Sequence, residues 1–178
     1  MNNKKISALV VAHNEEKKLG SCLKRLKYAD EIVVVVDKSS DSTKDIALKY
    51  GARVFEGSWK MEGKRRDYGI SKCNHDWILE IDADEHVPAE LFMEIRKVLP
   101  QTKKGYFLIP FDNFIGKKRI RYGWGASWGV SAAPRLSYKG CKIWNETQTI
   151  HPSIILKGKN DKSLYIAVKE RAFFIEKI

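Results

Sequence analysis

The stretch Trp77-Ile-Leu-Glu-Ile-Asp-Ala-Asp-Glu, residues 77–85, decides the fold. Its first five residues are mostly apolar and β-prone, so they predict a buried strand. Asp82 and Asp84 follow that strand with a single residue between them. Carboxylates in this position can share one hard cation and leave its other coordination positions open for phosphate oxygens. The competing interpretation is a solvated turn whose acidic residues favour the N-terminus of the next helix.

The residues before this stretch alternate between apolar, β-branched runs and segments with a helical pattern. The predicted strands are Ile6 to Ala12, Ile32 to Val36, Ala52 to Phe55 and Trp77 to Ile81. Asn14 and a capping box of Ser42 with Asp45 are predicted to start the first two helices, and Gly51 to end the second. A third, weaker helix is predicted over Gly63 to Cys73. Such alternation predicts an α/β fold with a mostly parallel central sheet and helices on both faces.

The pattern changes after residue 85. Pro88 is predicted to occupy the first turn of a helix that Pro100 ends. Looser strands are predicted at Tyr106 to Phe111, Ile120 to Tyr122, Arg135 to Tyr138 and Ser153 to Leu156. A chain of 178 residues is long enough for one substantial core. We therefore predict a single domain, 1–178, with a ligand-binding half at 1–100 and a looser β-containing half at 101–178.

The composition is typical of a soluble globular protein, with 43% hydrophobic and 31% charged residues. The formal net charge of +11 indicates an anionic partner. No known nucleic-acid-binding motif accompanies this charge, so no nucleic acid is expected as a partner. No apolar run approaches the roughly 18 residues that span a bilayer. The 3 cysteines are not in paired spacing, which predicts neither a disulfide framework nor a zinc site and places the chain in the cytoplasm.

Three polar loops follow the predicted strands: Ala12 to Glu15, Asp37 to Thr43 and Asp82 to Glu85. Ligands of mostly parallel sheets bind at the carboxyl ends of the strands. We therefore expect the three loops to converge on one crevice.

Two further groups of polar residues each have two interpretations. Asp37 either accepts hydrogen bonds from the imide and hydroxyl groups of a nucleoside or is a polar residue where a strand turns into a capped helix. The cluster Lys64, Arg65 and Arg66 is either a solvated helix face or a group that neutralises a diphosphate. Of these three residues, only Arg66 is favoured as the one that neutralises a diphosphate.

The order of three segments makes the sequence similar to a known family. Val10 to Glu16, Glu31 to Thr43 and Trp77 to Glu85 follow one another as in the family-2 glycosyltransferases of GT-A fold, which the chain resembles over roughly residues 5–155. Phe114 to Trp124 and Pro134-Arg-Leu make it most similar to the branch that adds glucose in β-1,4 linkage to the inner core of bacterial lipopolysaccharide.

The resemblance implies metal-dependent, inverting transfer of a sugar from a UDP-sugar to a saccharide or lipid-linked saccharide acceptor. Residues 1–100 would bind the nucleotide sugar and 101–178 the acceptor. The residues that would bind the donor are Ala12, Glu15 and Asp37 at the nucleoside and Arg66 at the diphosphate. Asp82 and especially Asp84 would hold Mg²⁺ or Mn²⁺ against the diphosphate, where the cation acts as a Lewis acid for the leaving UDP.

An inverting transfer also needs a base that deprotonates the acceptor hydroxyl. The related branch usually carries a His-Glu pair after the Arg-Leu strand, whereas this chain reads His151-Pro152. Glu146 is the nearest carboxylate and is either a substitute base or an exposed loop residue. His151 is then a structural or acceptor-binding residue. The chain also lacks the longer C-terminal portion of such enzymes, so a shortened acceptor site is expected.

Two other classes of function compete with the glycosyltransferase. A nucleotidyltransferase also uses metal-bound carboxylates, but it should carry a Gly-rich loop where this chain has His13 to Glu16. A catalytically silent nucleotide-sugar- or nucleic-acid-binding module is suggested by Pro152. Independently of these alternatives, the basic and aromatic stretch Lys117 to Trp128 is either a solvated face or a peripheral contact with an anionic membrane.

Overall fold

The computed structural model describes residues 4–115, 118–119, 132–148, 152–160 and 175–177, of which 111–115, 118–119 and 176–177 are described by their backbone alone. The predicted strand at 120–122 and the site residue His151 lie outside the described residues. Most of the stretch Lys117 to Trp128 does so too.

The first half of the chain builds the parallel part of a sheet. Its strands are β1 (Ile6–Ala12), β2 (Glu31–Asp37), β3 (Arg53–Gly57) and β4 (Trp77–Asp82), in the spatial order β3-β2-β1-β4. All three pairings between these neighbours are parallel. The run Val33 to Val36 is buried throughout, as expected for a strand covered on both faces.

Helices cover both faces of these strands. They are α1 (Leu19–Arg25), α2 (Thr43–Lys49), α3 (Glu62–Lys72) and α4 (Ala89–Val98), the last followed by a 3₁₀ turn at Leu99–Gln101. Residues of α1, α2 and α4 share one apolar core with Ala8, Val10 and Leu79. Tyr68 and Ile70 of α3 pack against a second core on the opposite face. The predicted α/β fold is therefore confirmed.

The second half of the chain extends the same sheet with mixed pairing. Its strands are β5 (Glu85–His86), β6 (Gly105–Ile115), β7 (Lys118–Arg119), β8 (Ala132–Tyr138), β9 (Lys142–Trp144), β10 (Ile154–Leu156), β11 (Lys159–Asn160) and β12 (Ile175–Lys177). Strand β8 lies antiparallel between β4 and β6, and β9 pairs with β10 outside the main sheet. Within the described residues, no helix is long and apolar enough to span a bilayer.

Several predicted helix ends differ from the structure. Asn14 does not cap α1, which begins at Leu19; its φ of 53° and its side chain serve the loop instead. Ser42 is the N-cap residue of α2 but its side chain makes no capping bond, because Asp41 Oδ1 accepts from the Thr43 amide at 3.0 Å. Pro88 precedes α4 as its N-cap residue. Gly51, with φ of 75°, does end α2 as predicted.

Candidate active site

The ends of three parallel strands meet at one edge of the sheet. Strand β1 lies between β2 and β4, and the register pairs Ala12 with Val36 and Val11 with Asp82. Asp37 and Asp82 therefore lie at the carboxyl ends of the two strands that flank β1. Ala12 lies between them and is 1% exposed. Its methyl group therefore offers a ligand almost no surface, and Ala12 can contribute only its backbone groups and the shape of the site.

The carboxylate of Asp37 is held by two donors. Arg65 Nη1 lies 2.8 Å from Asp37 Oδ2, and the amide of Trp59 donates to Oδ1 at 3.0 Å. His13 Nδ1 donates to the Asp37 carbonyl oxygen at 2.6 Å. The sequence did not distinguish Arg65 from its neighbours, because only the tertiary fold shows that it faces Asp37.

The carboxylate of Asp82 lies between two guanidinium groups. Arg66 Nη2 is 3.1 Å from Oδ1 and Arg135 Nη2 is 2.8 Å from Oδ2. Burial opposes ionisation of Asp82, but the two nearby positive charges outweigh it and lower its pKa well below the usual range. The Glu85 side chain, with no exposed surface, accepts from Arg135 and from the Asp82 amide. Arg135 thus links two carboxylates of the acidic stretch.

The loops after β1 and β2 are bound to each other by side chains. Asn14 Oδ1 accepts from the Ser40 amide at 2.8 Å, and the Glu15 amide donates to Thr43 Oγ1 at 2.8 Å. The Glu16 amide donates to Asp41 Oδ2 at 3.1 Å. These bonds fix the loops as one unit beside the strand ends.

Asp84 and Glu15 bring negative charge to the same edge. Burial and the carboxylates of Asp84 and Asp41 raise the pKa of Glu15, and Lys18 opposes the rise. Asp84 is half-buried. In the part of the chain that the structure describes, no three Cys, His, Asp or Glu side chains form a closed metal cluster. Mg²⁺ is usually held by one or two carboxylates together with ligand phosphates rather than by a closed cluster of protein side chains.

Glu146 follows β9 and lies beside α3. Its side chain is 57% exposed, and its carboxylate is 3.9 Å from Lys64 Nζ. Together with burial, which is the larger effect, Glu146 and Glu80 raise the pKa of Asp67 on α3 to about 6. The structure thus places Glu146 near the helix that carries Arg66.

Comparison with known proteins identifies relatives. The profile of glycosyl transferase family 2 matches residues 7–155. An uncharacterized glycosyltransferase of Rickettsia typhi is 34% identical over 106 residues, which are 59% of this chain and 36% of the relative. The lipopolysaccharide core biosynthesis glycosyltransferase LpsC of Rhizobium meliloti is 26% identical over 86% of this chain and 58% of its own. The chain therefore spans about a third of the length of the first of these relatives and more than half of the second.

A solved structure shares the fold. The structure of S. aureus TarS, residues 1–349, in complex with UDP has a TM-score of 0.64 and 19% identity, and the match covers 83% of this chain and 52% of the 1–349 chain. At this identity the likeness supports the GT-A fold alone.

Proposed function

This chain belongs to glycosyl transferase family 2, and from that premise we propose that it transfers a sugar, glucose, from a UDP-sugar to a saccharide acceptor in lipopolysaccharide or other cell-envelope glycan synthesis. The observation that carries the proposal is the shared edge of the sheet, where Asp37 and Asp82 end the two strands that flank β1 and Arg66 binds Asp82. The name of the relative LpsC supports the choice of acceptor.

The donor would lie across the three strand ends. Asp37 has donors on both oxygens, yet each carboxylate oxygen carries a second lone pair that can accept the imide N–H of uracil. Glu15 would border the ribose, where its carboxylate can accept hydrogen bonds from the ribose hydroxyl groups. Arg66, whose side chain is 11% exposed, would face the diphosphate.

The two aspartates of the acidic stretch would hold the cation together. Each oxygen of Asp82 accepts from one arginine, Arg66 or Arg135, and keeps a second lone pair that can bind a metal ion. Asp82 and Asp84 would hold Mg²⁺ or Mn²⁺ with the donor phosphates. When bound, the cation would stabilise negative charge on the departing UDP.

A carboxylate must also take the proton of the acceptor hydroxyl. We assign this role to Glu146, whose exposed carboxylate lies on the loop beside α3. The acceptor oxygen would form a bond to the anomeric carbon while the bond from that carbon to the diphosphate oxygen breaks. Attack from the opposite face inverts the configuration at the anomeric carbon. His151 would contact the acceptor.

The test measures metal-dependent UDP-glucose hydrolysis and transfer to phosphorylated heptose acceptors. Asp84→Ala should lower both by about a hundredfold or more, since a Lewis-acid metal is worth several kcal/mol. Asp76→Ala is the matched control, because Asp76 precedes the opposite end of the same strand. Donor turnover that survives Asp84→Ala would be fatal to the metal assignment.

Glu146 has its own test. Glu146→Gln should abolish most transfer and leave the affinity for UDP unchanged, because the carboxylate acts on the acceptor. Transfer at the parental rate would remove Glu146 from the reaction. Binding of UDP without any turnover by the parent would favour the silent binding module instead.

A further inference from the structure

Trp144, at the end of β9, lies in close contact with the start of α3. A Cβ built at Gly63 of α3 would be 2.3 Å from the carbonyl oxygen of Asn145 and 3.3 Å from the Cβ of Trp144. Only a glycine permits this approach of helix and loop. The aromatic ring of Trp144 is thereby brought onto the helix that carries Arg66.

The indole ring of Trp144 is fixed along its edge. Its Nε1–H donates to Glu80 Oε2 at 3.1 Å, and Glu80 has 1% exposure in the middle of β4. The other oxygen of Glu80 lies 2.9 Å from the buried Lys142 Nζ, and that ammonium lies 4.3 Å from the ring centre. A buried ion pair between β4 and β9 therefore anchors the ring.

The face of the same ring carries Arg66. The guanidinium carbon is 4.7 Å from the ring centre, a distance at which a cation is attracted by the ring quadrupole. The guanidinium also donates through Nε to Glu62 at 2.9 Å and through Nη2 to Asp82 at 3.1 Å. A flat cation that stacks on one surface and donates along its edges has little freedom left.

We propose that Trp144 is a positioning residue of the candidate active site, which holds the Arg66 guanidinium at Asp82 so that it faces the donor diphosphate. The inference rests on the proposed function and assigns Trp144 no contact with substrate. Glu80 and Lys142 in turn hold the Trp144 ring in place through the hydrogen bond to its Nε1 and the ammonium beside the ring. A ring that merely filled the core would stabilise the fold without any energetic link to Arg66.

The test is a double-mutant cycle on UDP affinity, measured by titration calorimetry in the presence of Mn²⁺. Trp144→Leu should raise the Kd of UDP about 3-fold to 30-fold, the range of cation–π contacts at partly buried sites. In an Arg66→Gln background the same substitution should change the Kd by less than about twofold. Trp144→Phe, which keeps a ring and loses the bond to Glu80, should lie between the parent and Trp144→Leu.

The matched control is Tyr28→Leu, which removes a half-exposed ring 5.1 Å from the Lys27 ammonium and leaves the site untouched. The Kd of Tyr28→Leu for UDP should equal that of the parent. If Trp144→Leu fails to fold, Trp144→Phe in the two Arg66 backgrounds decides the question. Equal effects of the Trp144 substitution with and without Arg66 would overturn the inference alone. A parent that binds no UDP would overturn the proposed function and the inference with it.

Discussion

At the scale of single residues, Arg135 pairs with two carboxylates. Its side chain is 11% exposed and contacts Asp82 at 2.8 Å and the fully buried Glu85. Burial alone would lower the pKa of Arg135, but the two carboxylates raise it above its ordinary value. A pair of this kind is costly to break, because removal of one partner leaves uncompensated charge in the interior.

We expect Arg135→Met to lower the free energy of unfolding at pH 7 by about 3–5 kcal/mol, the cost of breaking a buried pair. Urea unfolding measures this loss. The control is Arg53→Met, since the Arg53 side chain is 43% exposed and its partner Glu31 keeps hydrogen bonds from Ser7 and Asn74. That change should cost about 1 kcal/mol or less. Equal losses of unfolding free energy in Arg135→Met and Arg53→Met would show that burial of the Arg135 pairs does not make them more costly to break.

The loss should also depend on pH. The pKa of Asp82 is depressed in the folded protein, so its stabilisation is present above the unfolded value of about 3.9 and disappears as the pH falls toward the folded value. The difference between the parent and Arg135→Met should therefore narrow below about pH 4.

The pKa of Asp67 is shifted in the opposite direction to that of Asp82, so its effect on stability changes with pH in the opposite way. Burial and two nearby carboxylates raise its pKa to about 6, so the folded protein binds the proton more tightly than the unfolded chain. The parent is therefore destabilised progressively as the pH rises from about 4 to 6. We expect Asp67→Asn to match the parent at pH 4 and to be more stable by about 1 kcal/mol at pH 8, after allowance for solvent screening. Thermal unfolding across this range provides the measurement.

The exposed Asp45 serves as the control for that experiment. Asp45→Asn removes one exposed carboxylate of α2, and the effect specific to Asp67 is the difference between the unfolding profiles of the two variants. A parental pH profile in Asp67→Asn would show that Asp67 titrates normally.

At the scale of elements, the contact between α3 and the end of β9 depends on Gly63. We expect Gly63→Ala to destabilise the protein by about 1–3 kcal/mol, because the added Cβ would meet the Asn145 backbone at 2.3 Å and force helix and loop apart. Its matched control is Gly20→Ala in α1, where the nearest atom is the Tyr50 ring at 3.3 Å. Tyr50 is 41% exposed and can move.

Gly20→Ala should therefore be close to neutral, or stabilising by up to about 1 kcal/mol through helix propensity. Urea unfolding of both variants makes the comparison. If Gly63→Ala were also stabilising, the close approach of α3 and β9 would be wrong. A weaker affinity for UDP in Gly63→Ala would further connect this contact to Arg66.

At the scale of the whole molecule, the net charge of +11 predicts attraction to anionic surfaces. We expect the protein to sediment with anionic phospholipid vesicles at low salt and to be released at high salt. Serine at Lys117, Lys118, Arg119 and Arg121 should weaken binding strongly, at about 1 kcal/mol for each cation near the surface.

An equal change of charge elsewhere separates a local effect from a general one. Serine at four exposed basic positions, Lys24, Arg25, Lys27 and Lys49, provides that control. If both quadruple variants bind vesicles equally, the stretch Lys117 to Trp128 has no special role and the overall charge accounts for the attraction.

The sequence by itself determined the order of strands and helices in the first half of the chain. Apolar runs such as Ile6 to Ala12 and the helical spacing of Leu19 and Leu23 are local patterns, so periodicity alone predicts them. The alternation then required a mostly parallel sheet, which placed Asp37 and Asp82 at the same edge. The short strands β9 and β11 were missed because their 3 and 2 residues include lysine and carry no apolar run like that of β10.

Only the tertiary structure decided which partners these carboxylates have. Arg135 reaches Asp82 across 53 residues, and Trp144 reaches Glu80 across 64, through the register of β8 and the approach of β9 to α3. Such pairings depend on how separate elements pack, and no local pattern of charge encodes them. Glu80 is a charged residue inside an apolar strand, and the fold supplies its buried cation, Lys142.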